Sequence, residues 1–374
     1  MYVQGVGMSK FSVDDESSFK LADDAILEAL KDSNVSMEDI DAVVVATVDT
    51  LMTDERQRHY QSLLSSLLKK KIPIIRVPAV CGGGGAALWT ANRLGFDNVL
   101  VVATDKIACN KTETITNEIL SAADRVWSQE EGLIFPAENA LLAQQYMMKF
   151  DATSDDLAMI AHKNHENAFL NPKAAFYGKK VGLDKIKNSP VVASPLRLFD
   201  CSISVNGAAA TILTKDKTDI EIAGSGFATD YLMTMERDSL VEFKASKLAS
   251  EQAYNQAEIG ASSVDVLEVH DAFTILELMS YEDLGFCKKG EGSKMIRDGV
   301  TKLDGKLPVN TGGGLKARGH PISPTGLAQV YEIVKQLRGE CGDRQISKHK
   351  YGMTQNIGGV GASISVNIFK NVGG

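Results

Sequence analysis

Cysteine is scarce in this chain of 374 residues, and the five present, at positions 81, 109, 201, 287 and 341, form no Cys-x-x-Cys pair. Their odd number and scatter exclude a disulfide framework and a zinc site, and they point to a reducing compartment where one thiol can act as a nucleophile. Positive charge is not in excess either. The formal net charge is −8, which excludes binding to nucleic acid by bulk electrostatics. The one basic run, LLKKK at 67–71, reads as the solvated end of a helix. No apolar stretch reaches the length of a membrane span, about 20 residues. The opening MYVQGVGMSKF lacks the pattern of a secretory leader, and NIFKNVGG lacks a peroxisomal Ser-Lys-Leu signal. The expectation is a cytoplasmic protein with no nucleic-acid or membrane partner.

What remains is the composition of a globular protein, 44% hydrophobic and 24% charged, long enough for two to three domains. LADDAILEALKDSNV (21–35) carries apolar residues at helical spacing and leads through SMEDID into AVVVATVD, a run suited to a strand buried on both faces. EQAYNQAEIGASSVDVLEVHDAF (251–273) repeats this layout. Setting Ala29 against Ala253, an offset of 224, pairs Val35 with Ile259, Asp41 with Asp265 and Val45 with Val269 without a gap. A second echo follows: IIRVPAV, CGGGGAALWTANRLG and DNVLVVATD in one half match KLPVNTGGGLKARGHPISPTGLAQVYEIVKQL, KYGMTQNIGG and ASISVNIF in the other. Two echoes in the same order imply one α/β unit duplicated and fused. The halves are 1–217 and 218–374. A helix-rich insertion at about 106–190 forms a cap, and the strand-like stretch 193–214 returns to the first sheet.

Four stretches can carry chemistry. Cys81 ends a strand and opens a helix through Gly82–Gly85. Unpaired amides and the helix dipole at such a point favour a thiolate, and bare backbone lets a carbonyl approach the Cys81 amide. A buried cysteine in a structural turn explains the same residues equally well. His320 lies in GHP (319–321), where Gly319 and Pro321 fix its ring for proton transfer or oxyanion binding. His270 closes the strand VDVLEV, where ligands gather in open α/β sheets; the following Asp271 could instead cap a helix. QNIGGVGAS (355–363) offers backbone donors and the Asn356 amide. His59, His162, His165, His349 and the other four cysteines read as structural or solvated.

Taken together, Cys81, HDAF (270–273), GHP (319–321) and NIG (356–358) resemble the four active-site loops of the thiolase superfamily, in order and over nearly the whole chain. The resemblance implies a five-layered α/β/α/β/α fold of two similar halves with a loop domain inserted in the first. KNHENAFLNP, PLRLFDCSISVNGAAA and the His-Asp form of the second loop resemble the sterol-carrier-protein-type thiolases and their archaeal relatives. That branch implies an acetyl-CoA C-acetyltransferase feeding the mevalonate route, with coenzyme A thioesters as substrates and no cofactor or metal. It also implies a homodimer or dimer of dimers, and association with hydroxymethylglutaryl-CoA synthase and a small OB-fold zinc-ribbon protein.

By the same resemblance His320 activates Cys81 for acylation, and an enolate from a second acetyl-CoA attacks the acyl-cysteine to give acetoacetyl-CoA. His320 with a water on His270 forms one oxyanion hole, and the amides of Cys81 and Gly358 form the other. The family's second cysteine is missing, since Asn356 and Ala272 stand in its two usual places. His270 then becomes the candidate acid/base. Longer-chain 3-ketoacyl-CoA thiolysis or ketosynthesis, and a non-catalytic acyl-CoA-binding subunit, are the competing readings.

Overall fold

The computed structural model describes residues 1–48, 55, 57–108 and 112–373. The elements run β1 (Tyr2–Met8), α1 (Ser18–Ser33), β2 (Ala42–Ala46), α2 (Tyr60–Leu68), β3 (Ile74–Arg76), α3 (Gly83–Ala91) and β4 (Asn98–Asp105). The insertion follows as α4 (Thr112–Leu120), α5 (Phe135–Lys149), α6 (Ser154–Phe169) and α7 (Leu183–Lys187), then a hairpin of β5 (Val191–Ala193) and β6 (Leu196–Arg197). The chain continues with β7 (Gly207–Thr214), β8 (Ile220–Thr229), α8 (Lys244–Ala257), β9 (Val266–Glu268), α9 (Thr274–Asp283), α10 (Gly292–Arg297), α11 (Thr325–Arg338), β10 (Tyr351–Gly358) and β11 (Ser363–Asn371).

The 224-residue register holds in three dimensions. The buried face of α1 is Leu21, Ala22, Ala25, Ile26 and Ala29; that of α8 is Ala245, Ser246, Ala249, Ser250 and Ala253, the same positions one repeat later. Both helices end on a left-handed residue, Asn34 and Glu258. Asp41 accepts the amide of Asn98, as Asp265 accepts that of Tyr351, so each aspartate ties its strand to the next. Close packing repeats as well. A Cβ at Gly5 or Gly7 would fall 2.4 or 2.1 Å from carbonyls of α1, and one at Gly224 or Gly226 would fall 2.1 or 1.9 Å from carbonyls of α8. Only glycine admits a helix that near to a strand.

Strands pair in the order β3-β2-β4-β7-β1 and β8-β11-β10-β9, and the two sets join edge to edge where Tyr2 and Val3 meet Glu221 and Ile220. α1 and α2 cover the outer face of the first set, and α8 and α9 that of the second. α3 and α11 lie between the two sets with Leu88, Leu327, Val330 and Val334 in the central core. Five layers result, as a thiolase-like α/β fold requires. The first set carries one extra strand, β3.

One expectation is corrected. The stretch 193–214 is a sheet strand only from Gly207; the preceding residues form the β5–β6 hairpin, a helical turn at Leu198–Asp200 and then an extended ribbon with isolated bridges, Cys201 to Phe273 and Ser204 to His320. The run AVVVATVD forms a strand over Ala42–Ala46, and Asp49 lies outside the described residues. Among the described residues no helix is long and apolar enough to cross a membrane.

Candidate active site

Cys81 sits in a single turn, Val80–Gly82, that runs directly into α3. Val80 has φ of +49°. A β-branched residue is rarely found there, and the strain is worth about 1–3 kcal/mol. The glycines have a purpose the sequence did not suggest: they admit the protein's own backbone. A Cβ on Gly82 would come within 3.0 Å of the Gly358 nitrogen. One on Gly84 would reach 2.7 Å from the Ser323 carbonyl, and one on Gly85 would reach 1.9 Å from the Ser365 hydroxyl. The bare start of α3 is what lets β10, β11 and α11 close around the cysteine.

Cys81 is 7% exposed. Burial first, and the Asp105 charge second, push it up to about 12, while the amides of Cys81 and Gly359 pull the other way. The thiolate expected from the helix end is therefore not the resting state. Gly359, rather than Gly358, reaches the cavity wall.

His270 and His320 meet edge to face, with ring centroids 5.3 Å apart. Burial, reinforced by the Arg318 charge, lowers His320 to about 3; burial and the neighbouring His320 hold His270 well below its ordinary value. Both rings are neutral at physiological pH. Asn356 fixes the tautomer of one of them. Its Oδ1 accepts from the Gly85 amide at 3.0 Å, and its Nδ2 donates to the Cys81 carbonyl at 3.0 Å and to His270 Nδ1 at 3.2 Å. With both amide atoms assigned by backbone partners, Nδ1 of His270 is an acceptor and Nε2 carries the proton. His320 Nδ1 lies 2.7 Å from the Thr325 hydroxyl. A hydroxyl can donate or accept, so this ring can switch between a lone pair and a proton at Nε2.

Residues the sequence reading passed over hold these groups in place. Asp105, at the end of β4, accepts from the Thr47 hydroxyl and the Val48 amide at 2.8 Å and from the Ser323 amide at 2.7 Å. It thereby ties the turn after His320 to the first half. Burial raises its carboxyl to about 7. Asp271 does not cap α9, whose N-cap is Phe273 without a side-chain bond; it accepts from the amides of Leu315 and Lys316 and from Asn164 instead. Beneath it Lys163 pairs with Glu277 at 2.8 Å, and Arg318 with Glu268 at 3.1 Å. Strand ends and the polar residues flanking GHP were the available signals. Their partners lie too far away in sequence to be paired by inspection.

Cys81, His270, Ala272, Phe273, His320 and Gly359 open onto one cavity of about 700 Å³. Its far walls come from α4, the start of α5, Phe176 and the segment 198–204, and Cys201 and Lys316 also face it. Cys201, read as structural or solvated, is thus a wall residue. Cys287 and Cys341 do not line the cavity, and Cys109 lies outside the described residues. His165 is buried edge-on against Phe176 and Phe199, and His162 pairs with Glu166 on the surface of α6.

Residues 4–194 match the family model "Thiolase, N-terminal domain" and residues 226–371 match "Thiolase C-terminal domain-like". The chain is 38% identical to an acetyl-CoA acetyltransferase of Methanothermobacter thermautotrophicus over 379 residues, covering 98% of each chain. It is 38% identical to another of the same name from Methanocaldococcus jannaschii, again covering 98% of each. Among solved structures it is similar to an Ltp2-ChsH2(DUF35) aldolase at a TM-score of 0.84 and 25% identity, covering 99% of this chain and 97% of that one.

Proposed function

The chain belongs to the thiolase family and is an enzyme of the acetyl-CoA C-acetyltransferase type, and on that premise we propose that it joins two molecules of acetyl-CoA into acetoacetyl-CoA through an acetyl-Cys81 intermediate. What carries the reading is the single cavity onto which Cys81, His320 and His270 all open.

With the thiol pushed up to about 12, acylation begins from a neutral pair. His320 Nε2 removes the Cys81 proton as sulfur attacks the thioester carbonyl. The amides of Cys81 and Gly359, beside the expected Gly358, receive the oxyanion. The tetrahedral adduct expels the thiolate of coenzyme A, which recovers the proton from His320. A second acetyl-CoA then loses an α-proton. The locked Nε2–H of His270 suits a fixed donor to the enolate oxygen, while the adaptable pairing of His320 with Thr325 suits a proton carrier. We therefore give His320 the proton in both half-reactions and His270 the oxyanion. The enolate carbon attacks acetyl-Cys81, the C–S bond breaks, and the sulfur takes back the proton that His320 holds.

Service to the mevalonate route, a cytoplasmic location, the division near residue 217 and a homo-oligomer are further parts of this proposal. So is docking to a zinc-ribbon partner or hydroxymethylglutaryl-CoA synthase. The aldolase among the solved neighbours makes carbon–carbon cleavage without an acyl-cysteine the reading to exclude. A coupled assay with acetyl-CoA alone, and with acetoacetyl-CoA plus coenzyme A, decides between them. We expect turnover in both directions, lost in His320→Ala. Retention of turnover in that variant contradicts the scheme.

A further inference from the structure

Lys316 is the one lysine or arginine among the described residues that faces the reaction cavity. It is 3% exposed, and no described carboxylate lies within ion-pair distance. The two acids nearby are occupied: Asp200 accepts from the Arg197 amide and the Thr274 hydroxyl, and Asp271 from Leu315, Lys316 and Asn164. The ammonium donates to the Cys201 carbonyl and lies 5.6 Å from the Phe199 ring centre. It carries three hydrogens. Lys163 shows how the same fold treats a structural buried lysine: it pairs with Glu277 and also donates to Asn164 and the Val309 carbonyl. Burying an ammonium with no carboxylate in contact is costly. Here burial lowers it to about 8 against the weaker pull of Cys201, Asp200 and Asp271, so an anion in direct contact would be well received.

The position also has a scale. Cys201 bridges Phe273 and Ser204 bridges His320, so Lys316 hangs at the far end of an extended ribbon of about 10 Å from the histidine turn. A cavity of about 700 Å³ is of the size that encloses drug-sized ligands, more than a two-carbon unit needs. Between ribbon and turn the walls are apolar: Leu198, Phe199, Phe273 and Leu276.

We propose that Lys316 receives a carboxylate at the distal end of the acyl chain, so that the site also takes 3-oxoacyl-CoA thioesters bearing an ω-carboxylate. The inference rests on the acyl-cysteine reading above and adds a substrate class to it. Thiolysis of 3-oxoadipyl-CoA is compared with that of 3-oxohexanoyl-CoA, which has the same carbon count and no carboxylate. The native enzyme should favour the acidic substrate at least tenfold in kcat/KM. Lys316→Met should cut that ratio by about 30-fold or more, the lower bound for breaking a buried charge pair, and Lys316→Arg should restore part of it. A lysine that merely braces the ribbon, or acts as a base, would slow both substrates alike and leave the ratio unchanged. That outcome, or a native preference for the neutral chain, overturns the proposal even if a variant folds poorly, because the ratio is read within one enzyme. Failure of the native enzyme on acetoacetyl-CoA as well counts against the acyl-cysteine reading and takes this inference with it.

Discussion

The two central helices start in the same way and do different work. An offset of 242 residues carries Gly83, the first residue of α3, onto Thr325, the first of α11, and with it Cys81 onto Ser323 and Val80 onto Ile322. The residues preceding Cys81 and Ser323 are both β-branched and left-handed, with φ of +49° at Val80 and +69° at Ile322. Duplication has kept the strain. The surroundings diverge. Ser323 gives its amide to the Asp105 carboxylate and its hydroxyl to the Val80 carbonyl, so it clamps one half to the other. Cys81 meets the Gly359 amide and opens onto a cavity. A strained turn at a helix start supplies a projecting side chain and directed amides; whether it becomes a nucleophile or a clasp depends on what the other half presents to it.

That contrast can be broken deliberately. The largest effect should come from Cys81→Ala, which should lower the rate of condensation by at least ~10⁴-fold, as removal of a nucleophile does elsewhere. The companion Ser323→Cys, which places a thiol in the matching turn, should gain no acetyl group. Peptide mapping after acetyl-CoA treatment reads both, and acetylation at position 323 would show the two turns to be equivalent. His270→Ala should leave acetylation of Cys81 near its native rate and slow condensation by about 100-fold, the scale of one lost oxyanion donor. The pH profile should keep its shape; a lost ionisation would return His270 to the role of base.

Asp105 is the next hinge of the comparison. Asp105→Ala strands the donors of Thr47, Val48 and Ser323 in the interior. It should cost about 2–4 kcal/mol in urea unfolding, since each unmet buried partner carries its own penalty. Asp105→Asn keeps the shape and removes the charge that raises the thiol. Alkylation of Cys81 by iodoacetamide at pH 8 should then quicken several-fold. The same carboxyl also sets a dependence of stability on pH. The Asp105 carboxyl titrates at about 7 when folded and near 3.9 when unfolded. Its contribution is thus fully present below about pH 4 and lost as the pH rises toward 7. Asp105→Asn should gain relative to the native chain across that window in thermal melts. A parallel pair of curves would remove Asp105 as the titrating group.

Much of this was legible in the residues. The 224-residue register survives intact because helix faces and strand ends are set by local periodicity, and α1 and α8 bury matching positions. The four loops could be found because glycine, histidine and asparagine mark them. The rest arises from long-range contact. The bond from Ser323 to Asp105 spans 218 residues, and nothing near either one announces it. The thiol was expected to be acidic from its helix end, yet burial among Ile107, Ile322, Val80 and Ile119 desolvates it. The ribbon at 201–206 reads as a strand in composition and runs extended after the helical turn Leu198–Asp200, but β7 takes up its sheet pairing only at Gly207.

The most direct measurement is the mass of the Cys81 peptide after brief exposure to acetyl-CoA. One added acetyl group is expected on that peptide, removed when free coenzyme A is supplied and never formed in His320→Ala. An unmodified Cys81 peptide from a folded, acetyl-CoA-saturated protein contradicts it.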